Sequence, residues 1–349
     1  MLEVIELTKI DGNALILDDI SFAVKAGESV GILGAPDAGK TALFDILAGY
    51  TAPTWGNVTV TVADIDVHGD RKEAAGYIGY LPAQLPLYMD MTAAEYLLFV
   101  YNLKKARTAD PGRHIYDVRR RTGFSDDCDV EIRQLPFEAQ RRLGLAQALI
   151  GDPDVLLLDD PFAGLDAAQA EEMRECLKKL AGSHTLLMSA RQPGDILGVC
   201  KRAIILDDCR IFADGPSESL LAAPDIALRA GGSQDAVLPL LRRMYAVKEA
   251  VCTGRSEPGS RDYVIACHPG SDIRPALCKV LSDAEIPILA LSRRTPTLDE
   301  LIHRPDEAPR SGPKPGGAAA GNLPRPSELM KNRNRRAGAP TTDESEGLK

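Results

Sequence analysis

The run Gly34-Ala35-Pro36-Asp37-Ala38-Gly39-Lys40-Thr41 constrains what this chain can fold into more than any other feature. It follows the apolar Ser29-Val30-Gly31-Ile32-Leu33 and precedes the helix-like Ala42-Leu43-Phe44-Asp45-Ile46-Leu47-Ala48. A G-x-x-x-x-G-K-[ST] run set between a strand and a helix is the form of a phosphate-binding loop. Its glycines let successive backbone N–H groups turn inward on a phosphate, and the helix N-terminus adds partial positive charge. On this reading Gly34, Ala35, Pro36, Asp37, Ala38, Gly39, Lys40, Thr41 and Ala42 line a nucleotide site. Lys40 reaches the β/γ-phosphates and Thr41 ligates Mg²⁺. The bland alternative is a Gly-rich turn joining a strand to a helix.

At 349 residues and 44% hydrophobic composition, the chain is long enough for about two domains. A net charge of −9 and a pI near 5.2 argue against general nucleic-acid affinity, and no nucleic-acid partner is expected. The seven cysteines are scattered without C-x-x-C spacing, as for free thiols in a reducing compartment. The five histidines are equally dispersed, so no zinc site is expected. Leu2-Glu3-Val4-Ile5-Glu6-Leu7 is patterned as a strand, unlike a signal peptide. No stretch approaches the ~18–20 apolar residues of a membrane span. The expectation is a cytoplasmic protein, peripheral to the inner face of the cell membrane through a partner.

Antiparallel strands are expected over Leu2–Thr8, Ala14–Leu17 and Ile20–Val24, with another over Val58–Val62 after the turn Thr54–Asn57. Helical periodicity dominates from about residue 90 to 150. Val155–Leu158, Thr185–Ser189 and Ala203–Leu206 are continuous apolar runs, as in strands buried on both faces of a parallel sheet. Strands alternating with helices after the loop imply an α/β core with right-handed crossovers. The pattern loosens at 216–235, which reads as a linker, and residues 236–303 read as a small α/β unit. The order expected there is helix Val237–Met244, strands Lys248–Cys252 and Tyr263–Cys267, helix Ile273–Asp283, strand Pro287–Leu291 and helix Leu298–His303. From residue 304 to 349 Pro, Gly, Ala and charge replace large apolar side chains, the composition of a disordered tail. Its basic cluster Lys331–Arg336 reads as solvated rather than as a lipid or nucleic-acid contact.

Val155-Leu156-Leu157-Leu158-Asp159-Asp160 is an apolar strand ending in two carboxylates. Asp159 would hold Mg²⁺ on the side facing Thr41, and Asp160 stands where a general base for the attacking water belongs. Such a pair can also merely cap the next helix. Here Pro161-Phe162-Ala163-Gly164-Leu165-Asp166 follows at once, and that combination is more specific.

The whole run Gln147–Asp166 resembles the ATP-binding subunit of ABC transporters. The resemblance extends from Leu2 to about Gly215 and includes Ile78-Gly79-Tyr80-Leu81-Pro82 with Leu87–Thr92, similar to a Q-loop region. Residues 236–303, with Thr297-Leu298-Asp299-Glu300-Leu301-Ile302, resemble the C-terminal unit of exporter-type subunits of the ABC-2 and gliding-motility kind. The resemblance implies an α/β P-loop NTPase core at 1–215 with an antiparallel β subdomain and a helical subdomain near 90–150. It implies ATP and Mg²⁺ as cofactors and a head-to-tail homodimer, or a heterodimer with another ATP-binding subunit. It also implies polytopic membrane permease subunits as partners.

Against that pattern several positions depart. The signature loop, usually Leu-Ser-Gly-Gly-Gln, aligns with Leu135-Pro136-Phe137-Glu138-Ala139. Pro136 offers neither hydroxyl nor N–H. Glu138 would bring a carboxylate toward a polyanion, which costs on the order of 4 kcal/mol at ~4 Å with an effective dielectric of ~20. The catalytic base position carries Asp160, one methylene shorter than glutamate. The switch histidine position carries Arg191, which donates but never accepts, and so is expected neither to relay a proton nor to hold the base in one orientation. The adenine-stacking aromatic aligns with Ile10 and the D-loop serine with Ala163. The Q-loop glutamine aligns with Ala83, so Gln84 serves as a metal ligand only after a local shift. Ala42 replaces a second hydroxyl. The sum is Mg-ATP binding by Lys40, Thr41 and Asp159, with hydrolysis through Asp160 and Lys40 weak or lost. An ordinary ATPase with tolerated substitutions, and a nucleotide-sensing scaffold without transport, stay open.

Overall fold

The computed structural model describes residues 2–60, 65–104, 110–124, 129–221, 225–245, 247–254, 257–267, 273–294 and 297–302. The expected tail at 304–349, with Lys331–Arg336, lies outside the described residues, as do Thr61 and Val62.

Strands β1 (Leu2–Asp11) and β2 (Ala14–Val24) form an antiparallel hairpin. The two strands expected over 14–24 are one. Asp19 adopts a left-handed φ of 55°, a bulge that keeps the ladder running, and its N–H donates to Thr8 Oγ1 at 3.2 Å. Strand β3 (Ser29–Gly34) is buried along its full length and runs into helix α1 (Lys40–Leu47). Strands β4 (Trp55–Val60) and β5 (Ile65–Asp66) return to complete an antiparallel sheet of order β2-β1-β4-β5.

Helix α2 (Arg71–Tyr77) leads into β6 (Ile78–Leu81). Helices α3 (Ala93–Lys104), α4 (Pro111–Thr122) and α5 (Phe137–Leu149) then fill the stretch whose periodicity predicted helix. Next come β7 (Val155–Leu158), α6 (Ala167–Ala181), β8 (Thr185–Ala190), α7 (Pro193–Ile196), β9 (Arg202–Asp207) and β10 (Arg210–Pro216). The second sheet has the order β10-β9-β3-β8-β7-β6 and is parallel except for β10. Its apolar strands feed two cores by alternation. Leu156, Leu158, Leu186 and Met188 join α3, α5 and α6 on one face. Val155, Leu157, Leu187, Val30 and Ile32 join α1 and the antiparallel sheet on the other. A parallel strand covered on both faces has no polar side to display, which is why these runs lack alternation in sequence.

The remaining elements are α8 (Ser217–Leu221), β11 (Ile226–Gly231), α9 (Gln234–Arg242), β12 (Val247–Gly254), β13 (Ser260–Cys267), α10 (Arg274–Asp283), β14 (Ile288–Arg293) and α11 (Leu298–Ile302). Two expectations are corrected here. The stretch 216–235, read as a linker, contains α8, all of β11 and the start of α9. β11 pairs antiparallel with both β13 and β14, inside a sheet of order β12-β13-β11-β14. The unit therefore begins at β11 and is a complete split β-α-β. Helix α11 was expected to close that unit. Instead Leu301 joins the core of α3, α5 and α6, with Leu298 and Ile302 packed against it. The sheet's own core is built by Ile226, Leu228, Val237, Leu241, Tyr263, Ile265, Leu277 and Leu281.

Candidate nucleotide site

The loop between β3 and α1 requires its glycines for steric reasons. Gly39 has φ +83°, and a Cβ there would lie 2.6 Å from the Ile16 carbonyl oxygen and 2.8 Å from Leu17 Cδ2. A Cβ on Gly34 would stand 3.0 Å from the Leu206 carbonyl oxygen. The backbone is thus pressed between β2 and β9 in a path that only glycine follows. Lys40 folds back over the loop, its Nζ donating to the carbonyls of Gly34 at 2.6 Å and Ala35 at 2.7 Å. Burial lowers its pKa, while the carboxylates of Asp159 and Asp160 act in the opposite sense. Ala38 is buried, Ala35 and Ala42 are half-buried, and Pro36, Asp37 and Thr41 are exposed. Thr41 stands in the first turn of α1.

β7 and β8 are parallel neighbours with Leu158 opposite Met188, so Asp159 and Asp160 leave the sheet beside Ser189. Ser189 Oγ donates to Asp159 Oδ1 at 2.5 Å and accepts the Asp160 N–H at 2.8 Å. Asp159 Oδ2 is buried with no hydrogen-bond partner among the described residues. An ionised carboxylate oxygen in that condition is costly unless a cation or donor completes it, so the residues present fit a metal. Asp160 takes a left-handed φ of 48°, and its carbonyl accepts from Arg141 Nη2 at 2.8 Å.

Arg141 and Ser189 are the site residues that sequence reasoning missed. Arg141 is fully buried, and its Nη1 also donates to the carbonyls of Ala83 at 3.0 Å and Pro82 at 3.3 Å. One guanidinium thereby ties the residues after β6 to those after β7. Arg141 sits among the polar residues Glu138, Gln140 and Arg142, so no local signal marks it as buried, and for Ser189 the signal was a hydroxyl near the end of an apolar strand. Tyr80 extends the group from below, its hydroxyl donating to Asp45 Oδ1 of α1 at 2.9 Å.

Two expectations change at the departing positions. Arg191 was expected to leave the base unoriented, yet its Nε lies 2.7 Å from Asp160 Oδ2. A donor-only group suffices when the residue it meets is a carboxylate. Glu138 was expected to bring a carboxylate toward a polyanion, relieved only in part by rotation into water. Its carboxylate accepts from Arg142 Nε at 2.8 Å one helical turn on, and Arg142 also pairs with Glu172 at 2.8 Å. The repulsion estimated for a lone carboxylate is therefore reduced.

Pro136 is the exposed N-cap of α5. Phe137 lies across Gly164, where a Cβ would be 2.5 Å from the ring, and Ala163 sits in the same turn with its N–H on the Asp160 carbonyl at 3.1 Å. Asp166 caps α6 through the N–H groups of Ala168 and Gln169, both at 2.9 Å. Gln84 is exposed and makes no hydrogen bond to a described residue. Ile10 is half-buried near the end of β1, its N–H held by Thr54 Oγ1 at 3.0 Å, whereas Ile16 is the residue packed on Gly39. The arrangement groups Lys40, Asp159, Asp160, Ser189 and Arg191 at the C-terminal ends of β3, β7 and β8. That is where ligands bind in parallel α/β sheets.

Residues 17–163 match the family described as ABC transporter. The Nod factor export ATP-binding protein I of Neorhizobium galegae is 30% identical over 241 residues, covering 68% of this chain and 69% of that protein. The linearmycin resistance ATP-binding protein LnrL of Bacillus subtilis is 24% identical over 307 residues, 86% of this chain and 97% of the relative. Among solved structures, a dimeric ATP-binding cassette in a post-hydrolysis state with ADP and Pi superposes with a TM-score of 0.57 at 23% identity, over 62% of this chain and 99% of that one. That likeness shows the fold, and the sequence relatives show the lineage. The chain belongs to the ABC transporter family, among the ATP-binding subunits of exporter type.

Proposed function

We propose that this chain binds Mg-ATP in a head-to-tail dimer and drives or regulates separate polytopic membrane subunits of an export system, hydrolysing ATP slowly or not at all. The observation that carries the binding half is the buried, unpartnered Asp159 Oδ2 beside the buried Lys40. Thr41 and Asp159 would hold the metal, which supplies charge neutralisation at the phosphates when bound. Gln84 is a metal ligand only if the segment after Pro82 rearranges. Loss of hydrolysis is supported by Pro136 and Phe137 at the signature loop, by Ala83 and Ala163, and by the short Asp160 tied to Arg191.

The names of the relatives support export, and the surface supports a partner. Tyr88, Met89, Leu98 and Phe99 are exposed together, with the Tyr88 and Phe99 rings 5.5 Å apart. Exposed apolar clusters of this kind mark contact sites. The reading places the protein at the inner face of the membrane through that partner. Among the described residues no helix is long and apolar enough to cross a membrane.

The test is ATP-dependent dimerisation and radiolabelled ATP turnover of the wild type and of Lys40→Ala, with the membrane partner present. Mg-ATP-dependent dimerisation lost in Lys40→Ala is expected, with turnover near background. Rapid wild-type turnover abolished by Lys40→Ala overturns the loss of hydrolysis. A pulldown that recovers no polytopic membrane protein favours a nucleotide-sensing scaffold instead.

A further inference from the structure

We propose that Arg191 is a positioning residue that latches the Asp160 carboxylate, and that this ion pair, more than the shortened side chain, restrains hydrolysis. The inference rests on the reading that the site binds Mg-ATP.

Its geometry follows from strand register. Ala190 of β8 lies opposite Leu33 of β3, one residue before the phosphate loop, and Met188 lies opposite Leu158 of β7. The residue after Ala190 therefore emerges between the loop and the Asp159–Asp160 pair. Arg191 reaches one way, placing Nε 2.7 Å from Asp160 Oδ2. Its charge is also felt on the other side, where it opposes the charged form of Lys40.

The two partners are held unequally. The Asp160 backbone is clamped at both ends, its N–H by Ser189 Oγ at 2.8 Å and its carbonyl by Arg141 at 2.8 Å, in a left-handed conformation. Its side chain is 11% exposed, whereas that of Arg191 is 67% exposed. The Asp160 backbone is fixed and its side chain largely enclosed, whereas the exposed guanidinium is free to swing away. While the pair holds, Oδ2 sits 2.7 Å from the guanidinium Nε, and the cation competes with a water for that oxygen. Arg191 thus acts through Asp160.

The experiment compares Mg-ATP affinity and turnover separately in the full chain for wild type, Arg191→Gln, Arg191→Lys and the double variant Arg191→Gln/Asp160→Asn. Arg191→Gln is expected to raise kcat about 10-fold, part of the ~10²–10⁴ a positioned base supplies, with the Kd for Mg-ATP changed less than about 3-fold. Arg191→Lys, which keeps the charge and loses the planar fork, gives a smaller rise. The double variant returns to the wild-type rate, showing that the gain ran through Asp160. An unchanged or lower kcat in Arg191→Gln with Kd intact overturns the latch while leaving the binding site standing. Absence of Mg-ATP binding in the wild type removes the underlying reading itself.

Discussion

Individual side chains at this site are held by a few directional bonds, and removing one leaves its partner exposed to the cost. Ser189 serves two groups at once, Asp159 Oδ1 and the Asp160 N–H. Ser189→Ala leaves both unpaired in a buried setting, at about 1–3 kcal/mol for each unsatisfied group. The expected result is a lowered urea midpoint together with weakened Mg²⁺-dependent ATP binding. Retention of both would mean the hydroxyl is dispensable. Gly39→Ala places a methyl 2.6 Å from the Ile16 carbonyl at φ +83° and is expected to abolish ATP binding and lower the melting temperature. The positions of the loop glycines, Lys40 and the acidic pair were legible because they follow from the strand–loop–helix and strand-end patterns along the chain. Arg141 was not. Its three carbonyl partners come from segments 58, 59 and 19 residues away, and no local pattern announces such a meeting.

At the scale of elements, α5 is anchored from both ends. Arg141 near its start grips the loops beyond β6 and β7, and Lys104, the last residue of α3, sits at its C-terminus. Lys104 Nζ donates to the carbonyls of Gln147, Ala148 and Ile150 at 3.3, 3.2 and 3.1 Å, satisfying groups that a helix end leaves open. Burial lowers its pKa to about 8. An unfolded lysine titrates near ~10.4, so between the two values the unfolded chain binds the extra proton and stability from this group increases with pH. The urea midpoint of the wild type relative to Lys104→Met should therefore rise between pH 7.5 and 9.5. A constant difference across that range would contradict the assignment. Buried parallel strands were legible as apolar runs. β11 was not, because Ile226-Ala-Leu-Arg-Ala-Gly231 carries only two large apolar residues among Ala, Arg and Gly, and its strand character comes from the two neighbours it pairs with.

For the whole molecule, α11 is a link between the C-terminal sheet and the nucleotide-binding core. Leu301 is buried in the core of α3, α5 and α6, not in that of β11–β14. Leu301→Ala is expected to cost about 2 kcal/mol or more and to make the C-terminal unit easier to release by limited proteolysis. If the proteolytic pattern stays that of the wild type, the two units are held by other contacts. Sequence by itself determined the phosphate loop, the buried parallel strands, the helical stretch and the positions that depart from the family, because each depends on residue type and spacing along the chain. Tertiary structure alone decided what Arg191 and Glu138 pair with, where β11 belongs and which core α11 joins. Those outcomes depend on which segments the fold brings within hydrogen-bond or packing distance.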